Sequence, residues 1–346
     1  MITAMNKIGY YVHHHGDGHR QRALAIAEQA PEYFTLIGTR LKGRTENIEC
    51  LDLPDDSTIV TRENTKHLKA THYTPLHHKG IKERTYQIAR WIAQTDPPLI
   101  IVDVSVEIAL LARLCSTPTV YVRLSGERFD CAHLEAFRSA EAILCPFHPL
   151  LEHKKTPKWV RKKSFYFSGL TSKPVKHNTI KHYIVVVLGA GGHEVTVKQL
   201  IDMAEQLENW RIDVIGPVKA EEKLPENLRI LGWVDNAQKF ITNANLIIGP
   251  AGDGLIAEVM AHGKPYICLP QKRPFNEQIT KAQELERLGT ALVIKKWPKN
   301  WPKIIKKVLK SGGLMGFLHN EAAAAQAADF LLTLAYGQKL TSKKNV

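Results

Sequence analysis

Twice along this chain a short apolar run ends in a glycine-rich turn that leads into a helical pattern. The first is Val12-His-His-His-Gly-Asp-Gly-His19 and the second is Val187-Leu-Gly-Ala-Gly-Gly-His193. A strand turning sharply into a helix opens a parallel βαβ unit, because parallel strands are joined by crossovers that are usually helical and right-handed. The alternation continues after each opening. In the first half the pattern predicts strands over 7–12, 33–38, 99–103, 119–124 and 142–145, with helices over 18–30 and 106–115. In the second half it predicts strands over 183–188, 212–215, 246–248 and 266–269, with helices over 194–207, 254–262 and 276–288. The expected fold class is therefore α/β, with two doubly wound domains. We place the first over 1–165, a linker over 166–182 where Gly169 and Pro174 interrupt any helical signal, and the second over 183–318. An Ala-rich helix and a frayed tail fill 319–346. Ligands of such sheets collect beyond the carboxyl ends of the strands, so two domains face to face would hold one in the cleft between them.

Composition narrows the partners. The 346 residues are 44% hydrophobic, which excludes a disordered or collagen-like chain. No apolar run is long enough to span a membrane, and residues 1–7 lack the layout of a secretory signal. Five scattered cysteines without a Cys-x-x-Cys pair read as reduced thiols, and the expected location is cytoplasmic. A net charge of +13 favours anionic partners. The acid-free segment 295–310 concentrates that surplus; it reads first as a solvated helix face with an apolar side of Ile304, Ile305, Val308 and Leu309, and alternatively as a membrane-surface patch with Trp297 and Trp301 as interfacial anchors. Nucleic acid is not expected as a partner, because no helix-turn-helix, zinc-finger or RNP pattern accompanies the charge.

The motifs point to an anion and a sugar. Gly189, Gly191 and Gly192, with His193, allow a backbone to approach a phosphate at the start of the next helix. Glu194 stands where a dinucleotide fingerprint needs its third glycine, which argues against a nicotinamide or flavin cofactor. In Gly249-Pro-Ala-Gly-Asp-Gly254, Gly252, Asp253 and Gly254 open a second such helix. Glu258 follows one turn later, suited to accept both hydroxyls of a ribose. Glu277 and Gln278 begin the helix after the next strand, in reach of sugar hydroxyls. In the first half, Gly16, Asp17 and Gly18 form the turn before His19, a candidate general base. Asp103, at a strand end, is either an alternative base or the group that orients His19. Glu127 and Arg128 follow another strand as acceptor-side candidates. His13, His14 and His15 have no carboxylate or Cys at ligand spacing, and no metal is expected.

Over about 100 residues of its second half, and in layout over most of its length, the chain resembles the glycosyltransferase family that adds N-acetylglucosamine to the undecaprenyl-linked peptidoglycan precursor. The likeness implies the GT-B arrangement of two Rossmann-like, doubly wound domains facing a cleft, with the last helix folded back over the first. It further implies an inverting, metal-independent transfer from a UDP-sugar, with UDP-N-acetylhexosamine as the expected donor and no cofactor. By that likeness Val234, in Gly232-Trp-Val-Asp235, reads the uracil, Glu258 holds the ribose, and Glu277 with Gln278 contacts the sugar. The family has two Gln at that pair, so Glu277 departs from it. Pro250 and Ala251 also replace a phosphate-contacting residue. The acceptor is expected to be lipid-linked or a small glycoside, met at the inner face of a membrane. The turn Gly16-Asp-Gly-His19-Arg-Gln-Arg22 is shared with nucleotide-sugar hydrolases, which makes hydrolysis or epimerisation on the same fold the rival reading.

Overall fold

The protein is described from a computed structural model covering residues 6–14, 17–45, 47–56, 68–170, 179–189, 194–234, 236–311 and 314–337. Seven strands make the first sheet: β1 (Ile8–Val12), β2 (Phe34–Gly38), β3 (Glu49–Asp52), β4 (Ile100–Asp103), β5 (Thr119–Val122), β6 (Ala142–Cys145) and β7 (Ser164–Tyr166). Six make the second: β8 (Tyr183–Val187), β9 (Arg211–Ile215), β10 (Leu228–Gly232), β11 (Leu246–Gly249), β12 (Tyr266–Cys268) and β13 (Leu292–Val293). All pairings are parallel, in the orders β3-β2-β1-β4-β5-β6-β7 and β10-β9-β8-β11-β12-β13. Central strands such as IGYYV, IIVD and LIIG are buried along their whole length, as sheets covered by helices on both faces require.

The crossovers are α1 (Asp17–Ala27), α2 (Lys79–Thr95), α3 (Val106–Leu114), α4 (Cys131–Ser139) and α5 (Lys158–Lys162) in the first lobe. The second lobe has α6 (Val197–Glu205), α7 (Ala237–Asn243), α8 (Asp253–His262), α9 (Glu277–Arg287) and α10 (Trp301–Ser311). The last helix, α11 (Ala323–Tyr336), lays Ala327, Ala328, Leu331 and Leu332 against the α1 side of the first sheet, in one apolar cluster with Ala23, Ile26 and Phe34. Side-chain caps start α3 (Ser105), α4 (Asp130) and α6 (Thr196 with Gln199 in a capping box).

Several elements differ from the sequence reading. The helix α2 was not expected because its buried stripe is Arg84, Ile88, Trp91 and Ile92, and an arginine in that stripe hides the apolar period. The first sheet gains β3 and β7, and β7 takes in Tyr166, the first residue of the expected linker. The helix expected over 194–207 begins only at Val197, so Glu194 lies in the loop before it. Trp301 is fully buried in the second lobe's core, which removes it as a membrane anchor, and the partly buried Trp297 packs edge-on against it at 4.9 Å. What α10 presents outward is Lys303, Lys306, Lys307 and Lys310.

Candidate active site

Both sheets reverse their strand order once, between β1 and β4 and between β8 and β11. A doubly wound sheet binds its ligand at such a point, because the loops there diverge to opposite faces and leave a crevice.

At the first crevice, α1 brings His19 and Arg22 to the end of β4. Asp103 is completely buried; Arg22 Nη2 donates to its two oxygens at 3.0 and 2.9 Å, and His19 Nδ1 stands 3.1 Å from Oδ2. Burial alone would raise the Asp103 carboxyl, but the neighbouring Arg22 and His19 hold it down at about 2. A carboxylate so acidic and so enclosed is a poor proton acceptor. Of the two roles open to Asp103, orienting His19 is the one its surroundings allow. Arg22 Nη2 also lies 3.0 Å from His19 Nδ1, and in the tautomer that turns Nδ1–H to Asp103 the Nε2 lone pair is available to take a proton. Val104, the next residue, has φ 52°, a left-handed conformation strained for a β-branched side chain. It is held by the Tyr121 hydroxyl, which donates to its carbonyl at 2.6 Å. Strain of this kind gathers at functional sites.

His13 stacks on His19 with ring centroids 5.3 Å apart and forms part of the rim of a cavity of about 600 Å³ between α2 and α3. Its walls are largely apolar, including Ile81, Ile108 and Leu111, and its floor carries Arg84 and Asp56. Gly18 begins the helix beside it in open space. Gly16 and His15 lie outside the described residues, and of Asp17 only the backbone at the start of α1 is described.

The second crevice is built from backbone and small residues. Gly249, Pro250 and Leu188 line a cavity of about 530 Å³ with Gln271, Lys272, Arg273, Lys295 and Lys296 around it. Gly189 lies just beyond β8, whereas Gly191, Gly192, His193 and Asp235 are outside the described residues. The helix α8 starts from Gly252 with no side-chain cap, leaving its first N–H groups for an anion. Asp253 ion-pairs with the buried Lys281. Burial works to raise its carboxyl, but Lys281, then Arg22 and Arg128, hold it below the usual range. Arg22 and Arg128 belong to the first lobe, so charge from that lobe acts on the start of α8 in the second. Gly254 has space beside it, and the Glu258 carboxylate lies 3.6 Å from His262. Neither Glu258 nor Val234 is among the walls of the 530 Å³ cavity. Gln278 Oε1 accepts from the Gln271 backbone and so shapes the loop rather than pointing away from it.

Glu127 and Arg128 were expected on the acceptor side. They instead reach the second lobe: Asn276 donates to Glu127 at 2.9 Å, and Arg128 donates to Glu277 Oε2 at 3.0 Å. Sequence spacing had no access to this, because the partners are 149 residues apart. Beside them, the ligand atoms of His72, Asp130 and His133 lie within 4.8 Å of one another. Arg128 Nη1 sits 3.2 Å from His133 Nε2. An arginine only donates, so Nε2 is the acceptor and Nδ1 carries the proton toward Asp130. Both ring nitrogens are thus engaged by protein groups, an arrangement for an ion-paired relay and not for a metal cradle. Burial, then Arg128, keeps His133 neutral with its value down at about 4.

Solved structures with this architecture include glycosyltransferases. The fold matches the glycosyltransferase of kitacinnamycin (TM-score 0.72, 14% identity, covering 95% of this chain and 99% of that one). It also matches MurG from Acinetobacter baumannii (TM-score 0.64, 15% identity, 94% and 99% covered). Within that class, residues 183–332 match the model of the glycosyltransferase family 28 C-terminal domain. A relative in sequence is the UDP-N-acetylglucosamine–N-acetylmuramyl-(pentapeptide) pyrophosphoryl-undecaprenol N-acetylglucosamine transferase of Thermotoga maritima. It is 30% identical over 156 residues, 43% of this chain and 46% of that protein. The chain spans about half the length, or less, of the curated relatives it matches.

Proposed function

We propose that the protein is an inverting glycosyltransferase that moves a hexosamine-type sugar from a UDP-sugar to an acceptor hydroxyl. The observation that carries this reading is a His–Asp–Arg group on one lobe together with, on the other, an uncapped helix start that follows the Gly249–Pro250 wall of a cation-lined cavity. In the step envisaged, the acceptor oxygen forms a bond to the anomeric carbon as the bond from that carbon to the diphosphate oxygen breaks. The hydroxyl proton passes to His19 Nε2, and the electron pair leaves with UDP. Amides at the start of α8 and the cationic side chains at the cavity rim stabilise the departing diphosphate, a task that asks for no cofactor. Matching relatives that carry N-acetylglucosamine transferase names support the choice of donor. The cavity of about 600 Å³ beside His13, with Ile81, Ile108 and Leu111 among its walls, supports an acceptor over water because it offers room for one. A lipid-linked acceptor would bring the lysine face of α10 near anionic headgroups.

The test is nucleotide binding. Removing a ribose-binding carboxylate deletes hydrogen bonds to a charged group, so Glu258→Ala should weaken UDP about tenfold or more in calorimetry. Unchanged affinity would take the nucleotide away from α8. UDP-sugar turnover to free sugar and UDP that no acceptor accelerates would replace transfer by hydrolysis.

A further inference from the structure

We propose that Arg128, carried by the first lobe, is part of the donor-sugar site: it fixes Glu277 and makes sugar recognition depend on the two lobes being closed. This rests on the donor reading above and goes beyond it, since it gives an acceptor-lobe residue control over donor specificity.

Four observations converge on the segment 275–277. Phe275 and Asn276 have φ 57° and 49°, two consecutive left-handed residues, neither of them glycine. For Phe275 above all, that conformation is strained and persists only where neighbours enforce it. The neighbours belong to the other lobe. The Glu127 N–H donates to the Phe275 carbonyl at 2.7 Å, and Asn276 donates to the Glu127 carboxylate. The Phe275 ring lies 4.8 Å below the Arg128 guanidinium and 4.7 Å from the His133 ring. Gly126, with φ 111°, allows the approach: a Cβ there would stand 2.8 Å from the Phe275 carbonyl and 3.0 Å from the Glu277 Cα.

The strained turn leads directly into α9, whose first residues are the two sugar-side candidates, Glu277 and Gln278. Arg128 holds one carboxylate oxygen of Glu277, Oε2; the other, Oε1, takes no bond among the described residues and can accept from a sugar hydroxyl. Behind Arg128, His133 accepts from its Nη1 and is itself tied to Asp130, which also takes His72. Arg128 is therefore pre-set rather than mobile: its Nη1 is held by His133 and its Nη2 reaches Glu277. With the lobes apart, the left-handed turn loses its supports and Glu277 loses its fixed position. A sugar would then be gripped only in the closed protein, where water is excluded and the acceptor hydroxyl is its nearest nucleophile.

The experiment titrates UDP and UDP-N-acetylglucosamine separately into the wild type, Arg128→Gln, Glu277→Gln and the double variant. The expected result is a roughly tenfold loss of UDP-N-acetylglucosamine affinity in each single variant, with UDP affinity within about twofold of wild type. The double variant should lose no more than either single one, since both delete the same contact. Equal weakening of UDP and the UDP-sugar would make Arg128 a general structural residue and overturn the proposal, as would additive losses in the double variant. Small-angle scattering of the unliganded protein gives a readout independent of nucleotide. Gly126→Val should increase the radius of gyration by prising 126–128 from 275–277, and an unchanged radius refutes the clasp. Failure of the wild type to bind UDP at all would instead refute the donor reading and leave the scattering result to decide the clasp.

Discussion

The two lobes solve the same topological problem with opposite materials. At the first switch point the crevice is filled by charged side chains, with Asp103 fully buried, Arg22 bonded to both its oxygens and His19 alongside. At the second, the strand ends are Gly189, Gly249 and Gly252, and the charges stand back on loops as Lys272, Arg273, Lys295 and Lys296. One crevice is pre-organised to hold a proton in a fixed place. The other leaves room for a bulky anion to arrive. Under the proposed transfer, two sheets wound in the same way would divide the work into proton chemistry on one side and charge neutralisation on the other.

That division is most directly broken at His19. His19→Ala should lower the transfer rate by about 10²- to 10⁴-fold, the usual worth of a positioned general base, while UDP affinity stays unchanged. Wild-type turnover would move the proton chemistry elsewhere. Asp103→Ala should come next, because it strands the buried Arg22 guanidinium. The expected loss is about 3–5 kcal/mol of stability by urea denaturation, far more than for a surface acid. A change under 1 kcal/mol would mean that the first crevice is open to water and not a buried ion pair.

The smallest effect concerns pH and sharpens the contrast at the lobe boundary. The His133 value is down at about 4 against an ordinary 6.5, and burial depresses His148 and His319 in the same direction. Between those two values the unfolded chain binds protons that the folded chain does not, so stability falls as pH drops from 6.5 toward 4. The slope from His133 approaches about 1.4 kcal/mol per pH unit at most. Denaturation midpoints at pH 7 and pH 5 measure it, and His133→Gln should flatten the profile. Asp103 and Asp130 act below this window: their depressed values protect the fold until the pH falls past the ordinary carboxylate range.

The strands were legible because buried parallel strands are nearly continuous apolar runs, and IGYYV, YIVVV and LIIG stand out without neighbours. Elements whose burial is mixed were not. The edge strands Glu49–Asp52 and Leu228–Gly232 and the helix Lys79–Thr95, with Arg84 turned inward, carry weaker patterns. Among site residues, the approach of His19 to Asp103 was anticipated as one of two roles, since both sit at carboxyl ends of neighbouring strands. The complete burial of Asp103 was not. Trp297 and Trp301 misled for the converse reason: beside lysines they read as interfacial, yet α10 turns Trp301 into the core.

By itself the sequence determined the two windings, the glycine-rich turns and the chemical types gathered at each strand end, because periodicity and φ-permissive residues act over a few positions. Only the tertiary structure decided that Glu127 and Arg128 serve the second lobe and that Asp103 is ionised and enclosed. Those outcomes depend on which surfaces meet across 149 residues of chain and on how much water is left between them, quantities that no local pattern encodes.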